Sequence, residues 1–260
     1  MSARDTGSNP VTALITNDDG IESPGLHQLA VAALSEGLSV IVAAPQAQSS
    51  GSSASIIGAE TDGSISFERR ELDGLENIPA FAVDAAPALI ALIAAHGAFG
   101  PVPDLVLSGI NRGANVGRAI LHSGTVGAAL TGGVNGARGL AVSLNVGMNP
   151  LQCFWKAPVP FVRELLPVLL QQPQGTVFNL NVPNTDGGVL QLREGTLATF
   201  GIVQTTMAKS GEETVRLSVS DTPTDQDAAS DAALLDAGFA TVTNILSIVE
   251  ASTPALVAAT

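Results

Sequence analysis

Short apolar runs alternate with segments of helical periodicity along the first two-thirds of the chain. The apolar runs have the length of buried strands, and they predict strands at 11–16, 39–44, 105–108, 140–144 and 177–182. Apolar residues at helical spacing predict one helix that begins at Ser23-Pro24 and three more over 88–95, 125–135 and 159–171. Strands that are apolar on both faces and alternate with helices are typical of an α/β fold, in which helices cover both faces of a mostly parallel sheet.

The pattern changes after Pro183. Apolar and polar residues alternate weakly over 189–219, around Lys209-Ser-Gly211, and this pattern predicts one or two β-hairpins. The apolar residues of 240–249 predict a final strand. Segment 221–236 holds five aspartates and no basic residue, which is typical of a solvated acidic loop. The predicted organisation is a tail (1–10), a core (11–185), and a hairpin and C-terminal arm (186–260).

Composition and charge narrow the class of protein. Apolar residues make up 45% of the 260 residues, as in a globular protein. The net charge of −13 disfavours nucleic-acid duplexes and anionic membranes as partners, so an anionic ligand would need local capture by a metal and backbone amides. The apolar run 85–95 is too short to span a bilayer, and the polar start of the chain lacks the apolar core of a signal peptide. Together with the single Cys153, these features predict a cytoplasmic protein.

Polar residues follow the predicted strands where each strand ends. In open α/β sheets, ligands bind outside the carboxyl ends of the strands, so residues distant in sequence would meet at one edge. The polar residues in these positions are Asn17-Asp18-Asp19, Ser49-Ser50, Ser108 to Asn111, Ser143, Asn145 and Asn181.

Asn17-Asp18-Asp19-Gly20 is the most informative of these groups. Two adjacent carboxylates suit a hard cation such as Mg²⁺ or Mn²⁺. Neighbouring side chains of a strand point to opposite faces, so both acids reach one ion only if the chain curls, as Gly20 permits. On the tetrapeptide alone, a simple turn is the better-supported alternative, because Asn, Asp and Gly are common turn residues.

The segment Ser108 to Gly117 is a loop rich in glycine and asparagine that follows a predicted strand. Its glycine spacing matches neither the dinucleotide fingerprint nor a P-loop. Asn111 is a candidate neutral oxygen ligand for an ion held by Asp18 and Asp19. An ordinary loop with Asn in left-handed positions is the alternative.

His122-Ser123-Gly124-Thr125 leads into a predicted helix. Hydroxyl groups and free N–H groups at a helix start favour an anion site, although simple N-capping explains the same residues. Ser123 lacks the frame of a nucleophile elbow. The three histidines show no zinc spacing, and His122 is the one that adjoins the candidate anion site.

Several motifs together resemble the survival protein SurE family, in order and in spacing. The resemblance is specific before residue 145 and loose after residue 185. The motifs that carry it are Thr16-Asn-Asp-Asp-Gly-Ile21, Pro24-Gly-Leu26, Ala44-Pro45, Ser50-Gly51, Pro103-Asp-Leu-Val-Leu-Ser-Gly-Ile-Asn111 and Ser123-Gly-Thr-Val-Gly-Ala-Ala129.

This resemblance implies a Rossmann-like fold and a divalent-metal-dependent phosphomonoesterase that acts on nucleoside monophosphates or other small phosphomonoesters. It also implies a homodimer or homotetramer that exchanges arms between subunits. The implied metal ligands are Asp18, Asp19, Ser50 and Asn111, with Asp18 and Asn111 as catalytic residues. The implied phosphate site consists of Asn115, Ser123, Gly124 and Thr125. The alternative is a protein that binds metal and nucleotide with weak or no turnover.

Four departures from the family pattern motivate that alternative. They leave every implied metal ligand in place, but they bear on substrate preference and turnover. The residues that depart are Ser49, where a basic residue is common; His122, where tyrosine is usual; Arg118-Ala119, in place of acidic residues; and Ala85-Ala86, in place of Gly-Thr.

Overall fold

The computed structural model describes residues 10–49, 51–58, 60–147, 150–199, 209–210, 215–216, 227–246 and 248–250. Its strands are β1 Thr12–Thr16, β2 Ser39–Pro45, β3 Glu60–Thr61, β4 Ser64–Ile65, β5 Phe67–Arg70, β6 Ala80–Val83, β7 Leu105–Arg112, β8 Arg138–Asn145, β9 Val177–Pro183, β10 Leu192–Glu194, β11 Lys209–Ser210, β12 Val215–Arg216 and β13 Ala240–Ile245. Its α-helices are α1 Pro24–Ser35, α2 Pro87–Ala94, α3 Gly124–Val134, α4 Val159–Leu170 and α5 Asp231–Asp236, and Gly117–His122 is a 3₁₀ helix.

One sheet organises these elements, with the strand order β10-β13-β9-β8-β7-β1-β2-β6-β5. The six strands from β9 to β6 in this order are mutually parallel, and β5 and β13 pair with them in antiparallel fashion. Taken in chain order, the six parallel strands have the arrangement 3-2-1-4-5-6 of doubly wound α/β folds. The prediction of a mostly parallel sheet is confirmed.

The two faces of the sheet pack against different helices. Ala13 and Ile15 of β1 belong to the larger apolar core, together with residues of α1 and α4. Leu14, which points to the opposite face, belongs to a second core with residues of α2. Strand β1 is therefore buried on both sides, which explains its continuous apolar run. No helix within the described residues is long and apolar enough to cross a bilayer.

Strand β7 is longer than predicted and extends to Arg112. Its pairing with β8 shifts register between Ser108 and Asn111, then continues with Asn111 opposite Ser143. The prediction that Asn111 lies in a loop after the strand is therefore wrong. Pairing beyond the irregularity keeps Asn111 on the strand, where its backbone has a fixed direction.

The second half of the chain also differs from its predicted organisation. Strand β13 pairs with β9 and with β10, so both late strands belong to the main sheet. Strands β11 and β12 form a separate antiparallel ladder, which confirms one hairpin, although Lys209 and Ser210 lie in its strand and not in its turn. The oligomerisation role of segment 186–260 stays a prediction.

The acidic segment is not a solvated loop throughout. Asp221 and Asp225 lie outside the described residues, but Asp231 begins helix α5 and is fully buried. Ser230 caps this helix by accepting a hydrogen bond from the Ala233 N–H at 3.2 Å. The prediction of a loop at 231–236 is wrong, because a Ser-Asp cap followed by Ala and Leu residues forms a helix that packs on the sheet.

Candidate active site

Polar residues from several strand ends line one cavity at the carboxyl edge of the sheet. Strand order reverses between β1 and β7, and the connections that follow these two strands run to opposite faces, which opens a crevice between them. The cavity has a volume of about 320 Å³. Its lining consists of Asp18, Asp19, Gln48, Gly51, Asn111, Arg112, Gly113, Ala114, Asn115, Ala119, His122 and Ser123.

The chain curls at the end of β1, as its sequence predicts. The buried Asn17 side chain donates to the Gly20 carbonyl at 3.0 Å and accepts from the Gly20 N–H at 3.1 Å. Gly20 has a φ of +101°, which side-chain-bearing residues rarely adopt. The Asp18 carbonyl accepts from the Ser49 N–H at 2.7 Å, which ties the curl to the loop after β2. Asn17 thus closes a turn that presents Asp18 and Asp19 to the same cavity.

Asp18 is buried at the start of helix α3. Only 6% of its surface is exposed, and its Oδ1 atom accepts a hydrogen bond from the Thr125 hydroxyl at 2.6 Å. Burial raises the pKa of Asp18 above its ordinary value, and the neighbouring charge of Asp19 raises it further, against the lowering effect of hydrogen bonds from Thr125.

Asp19 is half-buried and has different partners. Its Oδ2 atom accepts from the Arg112 backbone N–H at 3.0 Å, and Gln48 approaches Oδ1 at 3.5 Å. Burial raises the pKa of Asp19 as well, against the lowering effect of the Arg112 N–H and of the Arg112 charge. Two neighbouring carboxylates with raised pKa values form a site whose negative charge is only partly compensated.

Asn111 adds a neutral oxygen to this pair of acids. Its side-chain nitrogen donates to the Gly113 carbonyl at 2.9 Å, which fixes the amide orientation and leaves the oxygen as the free acceptor. Asn111 lines the same cavity as both aspartates, which brings together three of the four predicted ligands. The fourth, Ser50, lies outside the described residues.

These residues fit a hard divalent cation. Carboxylate and amide oxygens are the ligands that Mg²⁺ and Mn²⁺ prefer, and a cation would stabilise the charged form of two carboxylates whose pKa values burial raises. The buried Ser52 hydroxyl has no hydrogen-bond partner within the described residues. Across the described chain, no group of three His, Cys, Asp or Glu residues could hold a metal ion, so neutral oxygens would have to complete this donor set.

Asn115 is held by side chains of the sheet. Its N–H donates to Asn181 Oδ1 at 2.8 Å, and its carbonyl accepts from the amide groups of Asn179 and Asn181, each at 2.8 Å. Its own side chain donates to the Ser143 hydroxyl at 2.9 Å. Both backbone groups of Asn115 are therefore fixed by strand β9, and the residue lines the cavity on a rigid support.

Two residues of the predicted anion site at Ser123–Thr125 have different functions in the structure. Ser123 caps α3 by accepting from the Val126 N–H at 3.1 Å, and it lines the cavity. The Thr125 hydroxyl donates to Asp18, so this side chain positions a carboxylate. A role of Ser123, Gly124 and Thr125 in phosphate binding stays a prediction.

Two glycines allow the starts of helices α1 and α3 to approach the site closely. A Cβ on Gly25 would overlap the carbonyl oxygen of Ile110, next to Asn111. A Cβ on Gly124 would lie 2.5 Å from Ser52 Oγ and 2.9 Å from Asp18 Oδ2. These glycines lie in the Pro24-Gly-Leu26 and Ser123-Gly-Thr125 motifs, and the need for close approach explains both.

Arg112 and Asp231 were not predicted as site residues. Arg112 directly follows Asn111, and its exposed side chain lines the cavity. Asp231 is remote in sequence, and its N–H partners include Gly117, at the start of the 3₁₀ helix that lines the cavity. The Ser230-Asp231 cap before an apolar run was the available signal for a helix there. No sequence signal indicates that Asp231 accepts a hydrogen bond from Gly117.

Comparison with known proteins agrees with the motifs. The model of the family "Survival protein SurE" matches residues 13–213. The chain is 38% identical over 172 residues to the 5′-nucleotidase SurE of Herpetosiphon aurantiacus, and the match covers 65% of each protein. It is 38% identical over 180 residues to the protein of the same name from Methanopyrus kandleri, covering 66% of each.

A solved structure supports the same fold. The SurE protein from Aquifex aeolicus superimposes with a TM-score of 0.69 at 24% identity, covering 90% of this chain and 93% of that one. The family model covers well over half of the chain and includes the ends of β1 and β7 that carry the candidate site. The chain therefore belongs to the survival protein SurE family.

Proposed function

We propose that this protein is a divalent-metal-dependent phosphomonoesterase that hydrolyses nucleoside monophosphates, with 5′- or 3′-nucleotidase activity. The observation that most directly supports this proposal is the pair of carboxylates Asp18 and Asp19, which face a cavity that Asn111 and Asn115 also line. Relatives that match about two-thirds of the chain bear the name 5′-nucleotidase SurE, which supports the same activity.

The cavity has two functional parts. The carboxylate half consists of Asp18, Asp19 and Asn111, which would hold Mg²⁺ or Mn²⁺, with Ser50 as a fourth ligand. The amide half consists of Asn115, Ser123 and Gly124, which would bind the phosphate. The bound cation would supply Lewis-acid chemistry, which polarises a phosphate oxygen and lowers the pKa of water.

The chain's own groups then have separate tasks in hydrolysis. Asp18 Oδ1 is occupied by the Thr125 hydroxyl, so Oδ2 is the atom that would take the proton from the attacking water. The side chain of Asn115 and the N–H groups at the start of α3 would stabilise the charge that develops on the phosphoryl oxygens. A P–O bond to the water oxygen would form as the P–O ester bond breaks. The nucleoside would leave with a proton from solvent, Asp18 would return its proton to solvent, and inorganic phosphate would remain.

Two of the residues that depart from the family pattern line the cavity. Ala119 and His122 both contribute to its lining, and His122 is exposed at its mouth. These positions would contact the alcohol portion of the substrate, so they are the residues in which this chain's substrate preference would differ from that of its relatives.

Phosphate release from a panel of 5′- and 3′-nucleoside monophosphates, with Mn²⁺, Mg²⁺ or a chelator, tests the proposal. We expect release that needs metal and that falls to background in Asp18→Asn. Metal-dependent nucleotide binding without release from any substrate would instead support the alternative of a binding protein.

We further propose that the protein assembles as a homodimer or homotetramer in the cytoplasm. Apolar side chains directly after β13 are exposed, with Leu246 at 76% and Ile248 at 93%. Exposed large apolar side chains close together in sequence are typical of an interface. Sedimentation at micromolar concentration should give a dimer or larger species, and replacing Leu246 and Ile248 by serine should shift it toward monomer. A monomeric wild-type protein would contradict the proposal.

A further inference from the structure

Asp231 is a fully buried carboxylate that connects the C-terminal segment to the loop of the amide half. Its Oδ2 atom accepts from the Gly117 N–H at 2.9 Å. Its Oδ1 atom accepts from the N–H groups of Ala198 and Ala232, at 3.0 Å and 2.8 Å. A buried carboxylate is costly unless it is well hydrogen-bonded, and backbone donors from three places in the chain meet this need.

Gly117 links Asp231 to the site. It lies two residues after Asn115 and begins the 3₁₀ helix Gly117–His122, which leads directly to Ser123. The next residue, Arg118, donates its N–H to the Ala198 carbonyl at 3.1 Å. The segment that carries the amide half is therefore attached to the C-terminal part of the chain at two consecutive residues.

Apolar packing surrounds these hydrogen bonds. Val116, next to Gly117, belongs to a small buried cluster with Ala198, Ala232 and Leu235, separate from the two main cores. Ala232 and Leu235 lie on α5, which also packs against β13. Helix α5 thus packs against the loop, and Asp231 adds a polar contact to this packing.

The carboxylate half has no such dependence. Asp18 and Asp19 are held by the Asn17 turn, by the Ser49 N–H, by Thr125 and by the Arg112 N–H. These contacts come from β1, β7, α3 and the loop after β2. A change at Asp231 should therefore reach the phosphate ligands and leave the metal ligands in place.

We propose that Asp231 is a positioning residue for phosphate binding, which acts through Gly117 on Asn115 and Ser123. This inference rests on the proposed function for the identity of the ligand, but the mechanical link can be tested without any activity. Asp231 touches neither substrate nor metal in this role. It sets the position and rigidity of the loop whose residues Asn115 and Ser123 would contact the phosphate.

Asp231→Asn is the most informative variant. An amide keeps one acceptor oxygen and places an NH₂ group against N–H donors at the other position. If the oxygen stays with Ala198 and Ala232, the bond to Gly117 is lost. Ser230→Ala is the matched control, because it removes the cap of the same helix without changing any bond to Gly117. Both variants are compared in the full chain.

Hydrogen exchange gives the readout that does not depend on activity. We expect faster exchange of backbone amides in 113–123 in Asp231→Asn, unchanged exchange in 12–20, and little change in 113–123 in Ser230→Ala. Inorganic phosphate should inhibit Asp231→Asn about tenfold less well than the wild type, with a matching increase in KM. The Mn²⁺-induced shift in Tm should stay that of the wild type.

The outcomes separate this inference from the proposed function. If the wild type releases no phosphate but exchange in 113–123 still depends on Asp231, the proposed function fails and the mechanical link stands. Unchanged exchange in Asp231→Asn, or an equal effect in Ser230→Ala, overturns the inference. If Asp231→Asn does not fold, hydrogen exchange of the Gly117 amide in the wild type tests the inference instead. The Gly117 amide should be as protected as those of Ala198 and Ala232, and an unprotected Gly117 amide overturns the inference.

Discussion

The carboxylate half and the amide half of the site obtain their rigidity from different parts of the chain. The backbone turn that presents Asp18 and Asp19 is closed by their sequence neighbours Asn17 and Gly20, and the carboxylates themselves accept from Thr125 and Arg112. Asn115 is fixed by the side chains of Asn179 and Asn181, more than sixty residues later, and the loop beyond it is held by Asp231. The turn of the candidate metal site thus forms from contiguous residues, whereas the backbone of Asn115 is held by a later strand of the sheet.

The largest effect expected from this comparison is that of Asp18→Asn. An amide cannot replace the charge of a metal-binding carboxylate, so phosphate release should fall more than about a hundredfold. Metal binding to the folded state should stabilise the wild type by about 2.7 kcal/mol at a metal concentration a hundred times its Kd, and the variant far less. Thermal melts with and without Mn²⁺, beside a phosphate-release assay, measure both effects.

The matched control is Asp73→Asn, which neutralises an exposed carboxylate away from the cavity. It should keep the activity of the wild type and its response to metal. If Asp18→Asn also kept both, the residues at the end of β1 would form only a turn, and the carboxylate half would have no role in metal binding.

A smaller loss is expected from Gly124→Ala, at the contact between the two halves. Alanine normally stabilises a helix relative to glycine by up to about 1 kcal/mol, so a loss of function must come from the new Cβ. That atom would lie 2.9 Å from Asp18 Oδ2 and 2.5 Å from Ser52 Oγ. Displacement of Asp18 should lower kcat/KM by about tenfold or more and weaken Mn²⁺ binding.

Gly187→Ala is a suitable comparison for this variant, because a Cβ there meets nothing within 4 Å. Steady-state kinetics and Mn²⁺ titration of both variants distinguish the clash from a general effect of alanine. Equal kinetics in Gly124→Ala and the wild type would show that the start of α3 tolerates displacement, and close approach would not explain this glycine.

The sequence predicted the carboxylate half better than the amide half, for a physical reason. The Asn17 turn and the strand before it involve contiguous residues, so hydrophobic pattern and turn chemistry indicate both. The extension of β7 to Arg112 depends on pairing with β8, which periodicity in one strand does not encode. Family resemblance supplied Asn115, but its partners on β9 are visible only in the folded sheet.

The C-terminal region shows where prediction from sequence ends. Strand β13 was predicted, but its place between β9 and β10 was not, because sheet order depends on long-range packing. Asp231 belongs to an acidic segment whose composition is typical of solvent exposure, and yet it is fully buried. Its donors at Gly117 and Ala198 are brought to it by the fold and have no signature near residue 231.

The pH dependence of the metal-free protein sharpens the comparison further. The pKa values of Asp18 and Asp19 are raised by burial above 3.8, so the folded state binds these protons more tightly than the unfolded state. Their contribution to the free energy of unfolding is therefore fully present below pH 3.8 and is lost as pH rises through the raised values. At neutral pH, metal-free Asp18→Asn should be slightly more stable than the wild type.

Denaturant unfolding of both metal-free proteins from acid to neutral pH measures this effect, because their difference isolates the Asp18 carboxylate. The difference should grow in favour of the variant as pH rises. Mn²⁺ should reverse it at neutral pH and lose that ability as the carboxylates become protonated. Parallel stability curves for the two proteins at all pH values would contradict a raised pKa at Asp18.

The smallest expected effect is that of Arg112, whose backbone N–H and guanidinium have different roles at the site. Its backbone N–H donates to Asp19, and no side-chain substitution removes that bond. Its exposed guanidinium lines the cavity in a chain of net charge −13, where a local cation attracts an anionic substrate. Arg112→Met should therefore raise KM a few-fold, with little change in kcat or in Mn²⁺ binding, and the difference should shrink at high ionic strength.

Arg163→Met removes an arginine that pairs with Glu36 away from the cavity, and it should leave KM and its salt dependence unchanged. A fall in kcat without a change in KM would mean that the guanidinium acts on the transition state and not on substrate capture. Weaker Mn²⁺ binding in Arg112→Met would mean that the side chain supports the carboxylate half, against the division of roles between its backbone and its guanidinium.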